Sequence, residues 1–314
     1  MKKNVALIGY GYWGQKIYRY LKSSEDFHVQ YVYFRGLKEL DKDIISKDYG
    51  SEFVPSADII WENENVPNVI IATPVNTHYE LTRQALMKDK NVLVEKPITT
   101  DPAHSYDLLK IASERKLKLE TDYTFTYSEA LSRAERVVKE RTLGEIESIV
   151  VTKKQLGRFL QYDVYTLLGS HCISILDMFL PIHECDFSPK PLLNTNGITT
   201  AAIVSFESKN KKCRGYIDIS LHCPTRETKL IVYGQRGTLV YDPAATHETL
   251  KVVCFSRSQL SGTDKVAIST EKVYTSNENH NLQRAIKHFS QVVDNATPDN
   301  SMRATNITNI ISKF

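Results

Sequence analysis

The chain has 314 residues, 41% of them hydrophobic and 25% charged, with a formal net charge of +3. That is the balance of a soluble globular protein with room for two domains of ordinary size. So small a net charge does not argue for nucleic acid or an anionic membrane as partner, and no apolar run is long enough to span a bilayer.

Met1-Lys2-Lys3 leads into apolar residues, but that run breaks at Gly9. It is too short for the core of an export signal and reads as a first strand over residues 4–8. Residues 14–23 carry a helical pattern, with Ile17, Tyr20 and Leu21 on one face. Residues 28–34 are β-rich and 69–72 form another strand. A helix follows over 77–88, a strand over 91–94, a helix over 102–115 and a strand over 117–123. The stretch 38–64 carries the third segment only loosely. This alternation predicts βαβ units on a parallel sheet, a doubly wound Rossmann domain over residues 1–122.

The pattern changes after Tyr123. A helix over 128–141 stops near Leu143-Gly144, and β-rich runs follow at 146–153, 199–207, 213–222, 228–233, 238–242, 249–255 and 266–274. Gly234-Gln235-Arg236-Gly237 reads as a hairpin turn between two of them. One helix, 169–180, interrupts the series, and helices over 282–294 and 304–313 close it. Residues 123–314 are therefore expected to form an α+β domain with a large, mostly antiparallel open sheet. The five cysteines, Cys172, Cys185, Cys213, Cys223 and Cys254, are odd in number and lack CxxC spacing. Reduced thiols in the cytoplasm and no metal site are the expectation.

Gly9-Tyr10-Gly11-Tyr12-Trp13-Gly14 is a GxGxxG sequence between a strand and a helix. The first glycine permits a tight turn, the second lets backbone approach a pyrophosphate, and the third lets helix pack on strand. The helix N-terminus attracts the phosphate charge. About 20 residues on, where a carboxylate would hold the adenosine ribose of NAD, the chain reads Tyr33-Phe34-Arg35-Gly36. Arg35 can pair with a 2′-phosphate, which favours NADP over NAD. The alternative is that Arg35 points to solvent and backbone holds the ribose.

Ligands of open α/β sheets bind at the carboxyl ends of the strands. Two segments end there: Ala72-Thr73-Pro74-Val75-Asn76-Thr77-His78 and Val94-Glu95-Lys96-Pro97. Asn76 or Thr77 can cap the following helix. Thr73, Pro74 and Asn76 are candidate cofactor contacts. His78 is either a ligand contact or a helix-face histidine, and Glu95 either touches cofactor or pairs with a neighbouring base. A lysine at a strand end facing a nicotinamide is a candidate acid/base for hydride chemistry. Pro97 restricts the conformation of Lys96.

These motifs, with Leu143-Gly144-Glu145-Ile146, residues 234–242 and the late 282–289 helix, resemble the Gfo/Idh/MocA oxidoreductases over nearly the whole chain. The Gly11-Tyr12-Trp13-Gly14 version and Leu156-Gly157 look most like the branch acting on nucleotide-linked sugars, such as nucleotide-sugar 3-dehydrogenases. The resemblance implies hydride exchange between nicotinamide and a secondary alcohol or ketone of a sugar or nucleotide-linked sugar. Lys96 would hydrogen-bond the reacting oxygen, working at neutral pH if burial and a cationic nicotinamide lower its pKa. His171 matches the family's second-domain histidine, for proton exchange or substrate orientation; the alternative is a core histidine. Homodimers or homotetramers are implied as well.

The match fails beside that histidine. The family commonly places an aspartate four residues earlier, where this chain has Leu167, and its closest branch often places one directly after, where Cys172 stands. A leucine can neither orient an imidazole nor accept a proton. Three readings follow: Lys96 and His171 act without the carboxylate, Asp163 or Tyr165 replaces it from a shifted backbone, or catalysis is lost in a cofactor-binding sensor. Tyr123, Tyr127, Lys153, Gln155 and Arg158 are candidate substrate contacts by position, with Lys153 or Arg158 suited to a phosphate or uronate carboxylate.

Overall fold

The computed structural model describes residues 1–35, 50–157, 161–245, 247–255 and 268–314. They form two compact units, Met1–Thr124 with His280–Ser312, and Phe125–Asn279 with Lys313–Phe314.

The first unit begins with β1 (Lys3–Ile8), α1 (Tyr12–Lys22) and β2 (Phe27–Tyr33). It continues with β3 (Glu52–Phe53), α2 (Asp58–Trp61), β4 (Asn68–Ile71), α3 (His78–Met87), β5 (Asn91–Glu95), α4 (Pro102–Arg115) and β6 (Leu119–Asp122). The sheet runs β3-β2-β1-β4-β5-β6, and every neighbouring pair is parallel. The order reverses between β1 and β4, so the chain leaves those two strands in opposite directions and opens a crevice beyond their carboxyl ends. The central strands are covered on both faces, which is why β1, β4 and β5 read as continuous apolar runs. α4 starts on a local signal: Pro102 opens it and Asp101 Oδ1 accepts from the Ala103 N–H at 2.8 Å.

The second unit has α5 (Glu129–Lys139), capped by Ser128 Oγ accepting from the Leu131 N–H at 3.1 Å. Then come β7 (Ile146–Leu156), a π-helical turn at Tyr165–Gly169, and α6 (Ser170–Leu176). Seven strands follow: β8 (Cys185–Thr195), β9 (Ile198–Ser208), β10 (Arg214–Ser220), β11 (His222–Gly234), β12 (Gly237–Tyr241), β13 (Leu250–Phe255) and β14 (Ile268–Tyr274). Among the described residues the sheet runs β14-β13-β12-β11-β7-β10-β9-β8, antiparallel except where β10 lies beside β7. Gly234 and Gly237 pair across the β11–β12 turn, the hairpin that the sequence predicts. β8 has no counterpart in the sequence reading. Its Pro189 and Pro191 remove ladder donors, so prolines argue against a strand anywhere but a sheet edge, and the edge is where β8 lies.

The sequence assigns everything after residue 122 to the second domain. The structure corrects this for the two closing helices. α7 (Asn281–Val293) and α8 (Ser301–Ile311) belong to the first unit. Leu282, Ile286 and Phe289 of α7 enter the core built by Val5, Leu7, Ile17, Leu21 and Phe27. Phe289 stacks on Phe27 with ring centres 5.8 Å apart. Just before α8, Asn300 closes the free edge of β6: its Oδ1 accepts from the Thr121 N–H and its Nδ2 donates to the Thr121 carbonyl, both at 2.8 Å. A helical period shows that a stretch is amphipathic but not which sheet its apolar face meets.

Exchanging Phe289 for Ala should destabilise the first unit by about 3–5 kcal/mol, the cost of emptying a buried aromatic site. Denaturant unfolding followed by dinucleotide binding checks this; an effect confined to the second unit would contradict the assignment of α7.

Candidate functional site

The fingerprint glycines have three separate reasons to be glycine. Gly9 has φ +100°, and a Cβ there would stand 2.3 Å from the Ala72 carbonyl oxygen of the neighbouring β4 segment. A Cβ on Gly14 would stand 2.2 Å from the Gly9 carbonyl oxygen, so the third glycine sets how closely α1 lies on the turn. A Cβ on Gly11 would meet nothing within 4 Å. That open backbone at the N-terminus of an eleven-residue helix, with no acidic residue in its first turn, fits an approaching pyrophosphate.

The residues between the glycines divide inward and outward. Tyr10 stacks on Phe34 at 5.6 Å and meets Tyr18 and Phe53 edge-on at 5.4 and 5.7 Å, tying the turn to the end of β2. Tyr12 and Trp13 are exposed, and Lys16 Nζ lies 4.3 and 4.6 Å from their ring centres. Arg35 follows Phe34 at the end of β2 and is exposed, so its guanidinium is open to a ligand. Sequence reasoning missed Tyr10 and Phe34 as supports of this corner, because a fingerprint marks its glycines and not the residues packed beneath them.

At the end of β4, Pro74 and Asn76 are exposed and Thr73 is half-buried. The expected cap from Asn76 or Thr77 is absent: α3 has no side-chain cap, and a single 3-10 turn at Val75–Thr77 leads into it instead. Thr77 Oγ1 lies 2.7 Å from Thr73 Oγ1 and from the Pro74 carbonyl, so it stabilises its own turn. His78 is buried, with Nδ1 2.8 Å from the Pro97 carbonyl and Nε2 2.8 Å from the Thr73 carbonyl. It therefore clamps the turn after β4 to the turn after β5. Burial holds its pKa below the ordinary histidine value, the two carbonyls pull it back up, and the Lys96 charge lowers it further. A neutral ring has one N–H to donate, so His78 is a positioning residue and not an open ligand contact.

Lys96 is half-buried directly after β5, and its bond to Pro97 is cis. Beside it, Glu95 and Asp122 are register partners at the carboxyl ends of β5 and β6. The Lys96 backbone N–H donates to the Glu95 carboxyl, and Thr124 Oγ1 donates to Asp122 Oδ1 at 3.1 Å. Glu95 Oε1 and Asp122 Oδ2 are both buried without a hydrogen-bond partner. Burial pushes Glu95 up to about 8, the Asp122 charge adds to this, and Lys96 opposes it. Burial likewise pushes Asp122 up to about 7, against the Thr124 hydrogen bond and with Glu120 adding to the rise. Sequence reasoning missed Asp122, which ends a strand without a motif; its signal is its place one strand beyond Glu95.

In the second unit Lys153 and Thr228 are cross-strand partners on β7 and β11, and Lys153 Nζ donates to Thr228 Oγ1 at 3.2 Å. The ammonium lies 4.5 Å from the Phe125 ring centre, and His171 on α6 meets the same ring edge-on at 5.2 Å. Two residues nominated from sequence, Lys153 and His171, thus share one aromatic neighbour. Tyr123, in the first unit, is fully buried, a correction to its nomination as a substrate contact. Tyr127 and Gln155 are half-buried, and Arg158 lies outside the described residues.

Leu167 occupies the π-helical turn before α6, its N–H donating to the Asp163 carbonyl at 3.1 Å. Asp163 Oδ1 accepts from the Thr166 N–H at 2.6 Å, and the Tyr165 ring is buried against Phe314 at 5.3 Å. Cys172 is buried. Among the described residues no group of three or more His, Cys, Asp or Glu side chains could hold a metal ion, and no helix is long and apolar enough to cross a membrane.

Sheet order, fingerprint and switch-point crevice define an NAD-binding Rossmann unit. Residues 3–123 match the model of the Gfo/Idh/MocA oxidoreductase family, NAD-binding Rossmann fold. It is 32% identical over 104 residues to a dTDP-3,4-didehydro-2,6-dideoxy-alpha-D-glucose 3-reductase of Streptomyces violaceoruber, covering 33% of this chain and 30% of that protein. It is 27% identical over 110 residues to an inositol 2-dehydrogenase of Rhizobium meliloti, covering 35% and 33%. These matches take in about a third of each relative's length. The whole chain shares its fold with KijD10, a 3-ketoreductase from Actinomadura kijaniata in complex with NADP and TDP-benzene, at TM-score 0.82 and 18% identity, covering 99% of this chain and 96% of that one.

Gly11→Ala should leave thermal stability nearly unchanged and weaken dinucleotide binding about tenfold or more, about 1.4 kcal/mol. Gly14→Ala should lower the melting temperature of the apoprotein. Calorimetric titration and thermal melts separate the two effects. The carboxyl pair makes a third expectation. Both folded-state pKa values lie above the ordinary 4.5 and 3.8. Its stabilising contribution is therefore fully present below those ordinary values and lost as pH rises through about 7 and about 8. A Glu95→Gln/Asp122→Asn variant should gain stability over the parent by about 1–3 kcal/mol at high pH and less at low pH, as read by denaturant unfolding across that range.

Proposed function

We propose that the protein is an NADP(H)-dependent oxidoreductase that exchanges a hydride with a secondary alcohol or ketone of a sugar or nucleotide-linked sugar. Lys96 is the acid/base at the reacting oxygen and His171 its partner in proton exchange or substrate orientation. The observation that carries this reading is the place of Lys96. It leaves β5 at the carboxyl edge of the sheet, held by the His78 clamp on Pro97, two strands from β1, whose end carries the fingerprint turn.

Gly9, Gly11 and Gly14 with Tyr12 and Trp13 would hold the pyrophosphate side of the cofactor, Arg35 its 2′-phosphate, and Thr73, Pro74, Asn76 and Lys96 its nicotinamide side. The nicotinamide supplies the hydride acceptor or donor when bound. Lys153 suits an anionic part of the substrate, because it brings a cation to β7 beside Thr228 and the Phe125 ring. The relatives' names support a sugar-like substrate. The broad sheet of the second unit supports a homodimer or homotetramer.

Leu167 favours a second reading, a dinucleotide-binding sensor without turnover. The two are separated by incubating the protein with NADP⁺ or NAD⁺ and a panel of nucleotide sugars, and with NADPH and keto sugars, while following nicotinamide absorbance. Turnover should fall by about 10²–10⁴-fold in Lys96→Ala with NADPH affinity retained; unchanged turnover would sink the assignment of Lys96. Arg35→Ala should reduce the preference for NADP over NAD about tenfold or more, as expected from losing a charge-assisted hydrogen bond. An unchanged preference would mean that backbone holds the ribose.

A further inference from the structure

The pair of buried carboxyls beside Lys96 is used by none of the steps above. Glu95 and Asp122 end adjacent parallel strands in register, on the side of the sheet that α7 covers. Strands in a sheet lie about 4.8 Å apart, so two carboxyls that point to the same face there become close neighbours. Each keeps one buried oxygen without a partner, Oε1 of Glu95 and Oδ2 of Asp122. Each carboxyl also accepts one local hydrogen bond, Glu95 from the Lys96 N–H and Asp122 from the Thr124 hydroxyl. Two bare carboxylate oxygens facing one another out of water repel strongly, whereas one proton between them supplies a donor for one and an acceptor for the other.

The surrounding charges do not relieve the repulsion by another route. Glu120, fully buried on β6, adds negative charge, but its own oxygens are engaged elsewhere. Oε2 accepts from the Asn300 N–H at 2.9 Å, and Oε1 lies 3.3 Å from His288 Nδ1 on α7. His78, on α3, has both ring nitrogens against carbonyls. Lys96 is the cation that acts on both Glu95 and Asp122. No metal-binding cluster exists here among the described residues.

We propose that Glu95 and Asp122 share one proton, and that this pair, carrying a single negative charge, is the counter-charge that sets the ionisation of Lys96. The two carboxyls are positioning residues: they act on the reacting oxygen only through Lys96. With one proton aboard, the pair balances a single ammonium, so the local charge closes to zero. Losing that proton at higher pH would place two negative charges beside Lys96 and hold it as ammonium, the form that cannot accept a proton. The inference rests on the proposed role of Lys96 for its meaning in catalysis, but its physical content can be measured without turnover.

Infrared spectroscopy of the apoprotein near neutral pH should show the carbonyl stretch of one protonated carboxylic acid. The Glu95→Gln/Asp122→Asn variant should lose it, and each single variant should shift its frequency, because the acid proton then meets an amide oxygen in place of a carboxylate. In parallel, protein carrying ¹³Cε-lysine gives a Lys96 resonance, assigned by its absence in Lys96→Ala. Its titration midpoint should fall by about one pH unit or more in the Glu95→Gln/Asp122→Asn variant, the size of shift expected when an adjacent opposite charge is removed. No protonated-acid band in the parent, or a band that the single variants leave at the parent frequency, would overturn the shared proton. An unmoved Lys96 midpoint would overturn the coupling. Failure of Lys96→Ala to lose turnover is a separate result that touches only the functional reading. Amide for acid is nearly isosteric, and dinucleotide binding by each variant confirms that the first unit is folded.

Discussion

A parallel sheet brings the carboxyl ends of all its strands to one edge, and everything this protein does with a cofactor depends on that edge. The turn after β1 carries the fingerprint glycines, the turn after β4 carries Thr73 to His78, β5 ends in Glu95-Lys96, and β6 ends in Asp122. In sequence these groups span more than a hundred residues. In the sheet they are neighbours at successive strand spacings of about 4.8 Å. The strands must be buried on both faces to hold this order, so the polar groups at their ends meet in surroundings that exclude water. Low effective dielectric then makes each of their interactions consequential.

Two consequences follow at that edge. The carbonyls of two turns approach one another there, and a buried histidine reaches from α3 to both, one ring nitrogen 2.8 Å from each. Carboxyls that end adjacent strands find themselves facing one another, and burial raises the cost of ionising both. The same desolvation that lowers His78 raises Glu95 and Asp122. Lys96 sits among all three, so its charge and theirs are set together.

In the second unit, an aromatic ring and not a carboxylate is the neighbour shared by two of the residues that the sequence marks. His171 is retained on α6, but the turn before it is π-helical and presents Leu167, while Asp163 spends its carboxylate on the Thr166 N–H. What the histidine does have is Phe125, which also lies under the Lys153 ammonium. A buried cation over an aromatic face is a different kind of electrostatic device from an aspartate on an imidazole: it recognises negative charge and does not relay protons.

The sequence alone determined the periodic elements and the fingerprint, because hydrophobic period and glycine geometry are local properties that each segment declares for itself. It also marked Lys96, since a short apolar strand ending in Glu-Lys-Pro is legible in a line of text. β8 was hidden because Pro189 and Pro191 weaken a strand signal unless one already knows that the strand is an edge. The membership of α7 and α8 was hidden because an apolar stripe does not name the surface it will cover. Tyr123 looked like a substrate contact and is a core residue; His78 looked undecided and is a clamp. Asp122 was invisible, since only the pairing of β6 with β5 places it beside Glu95. Tertiary structure decided these points because they concern which buried surfaces and charges face one another, and that depends on contacts between segments far apart in the chain.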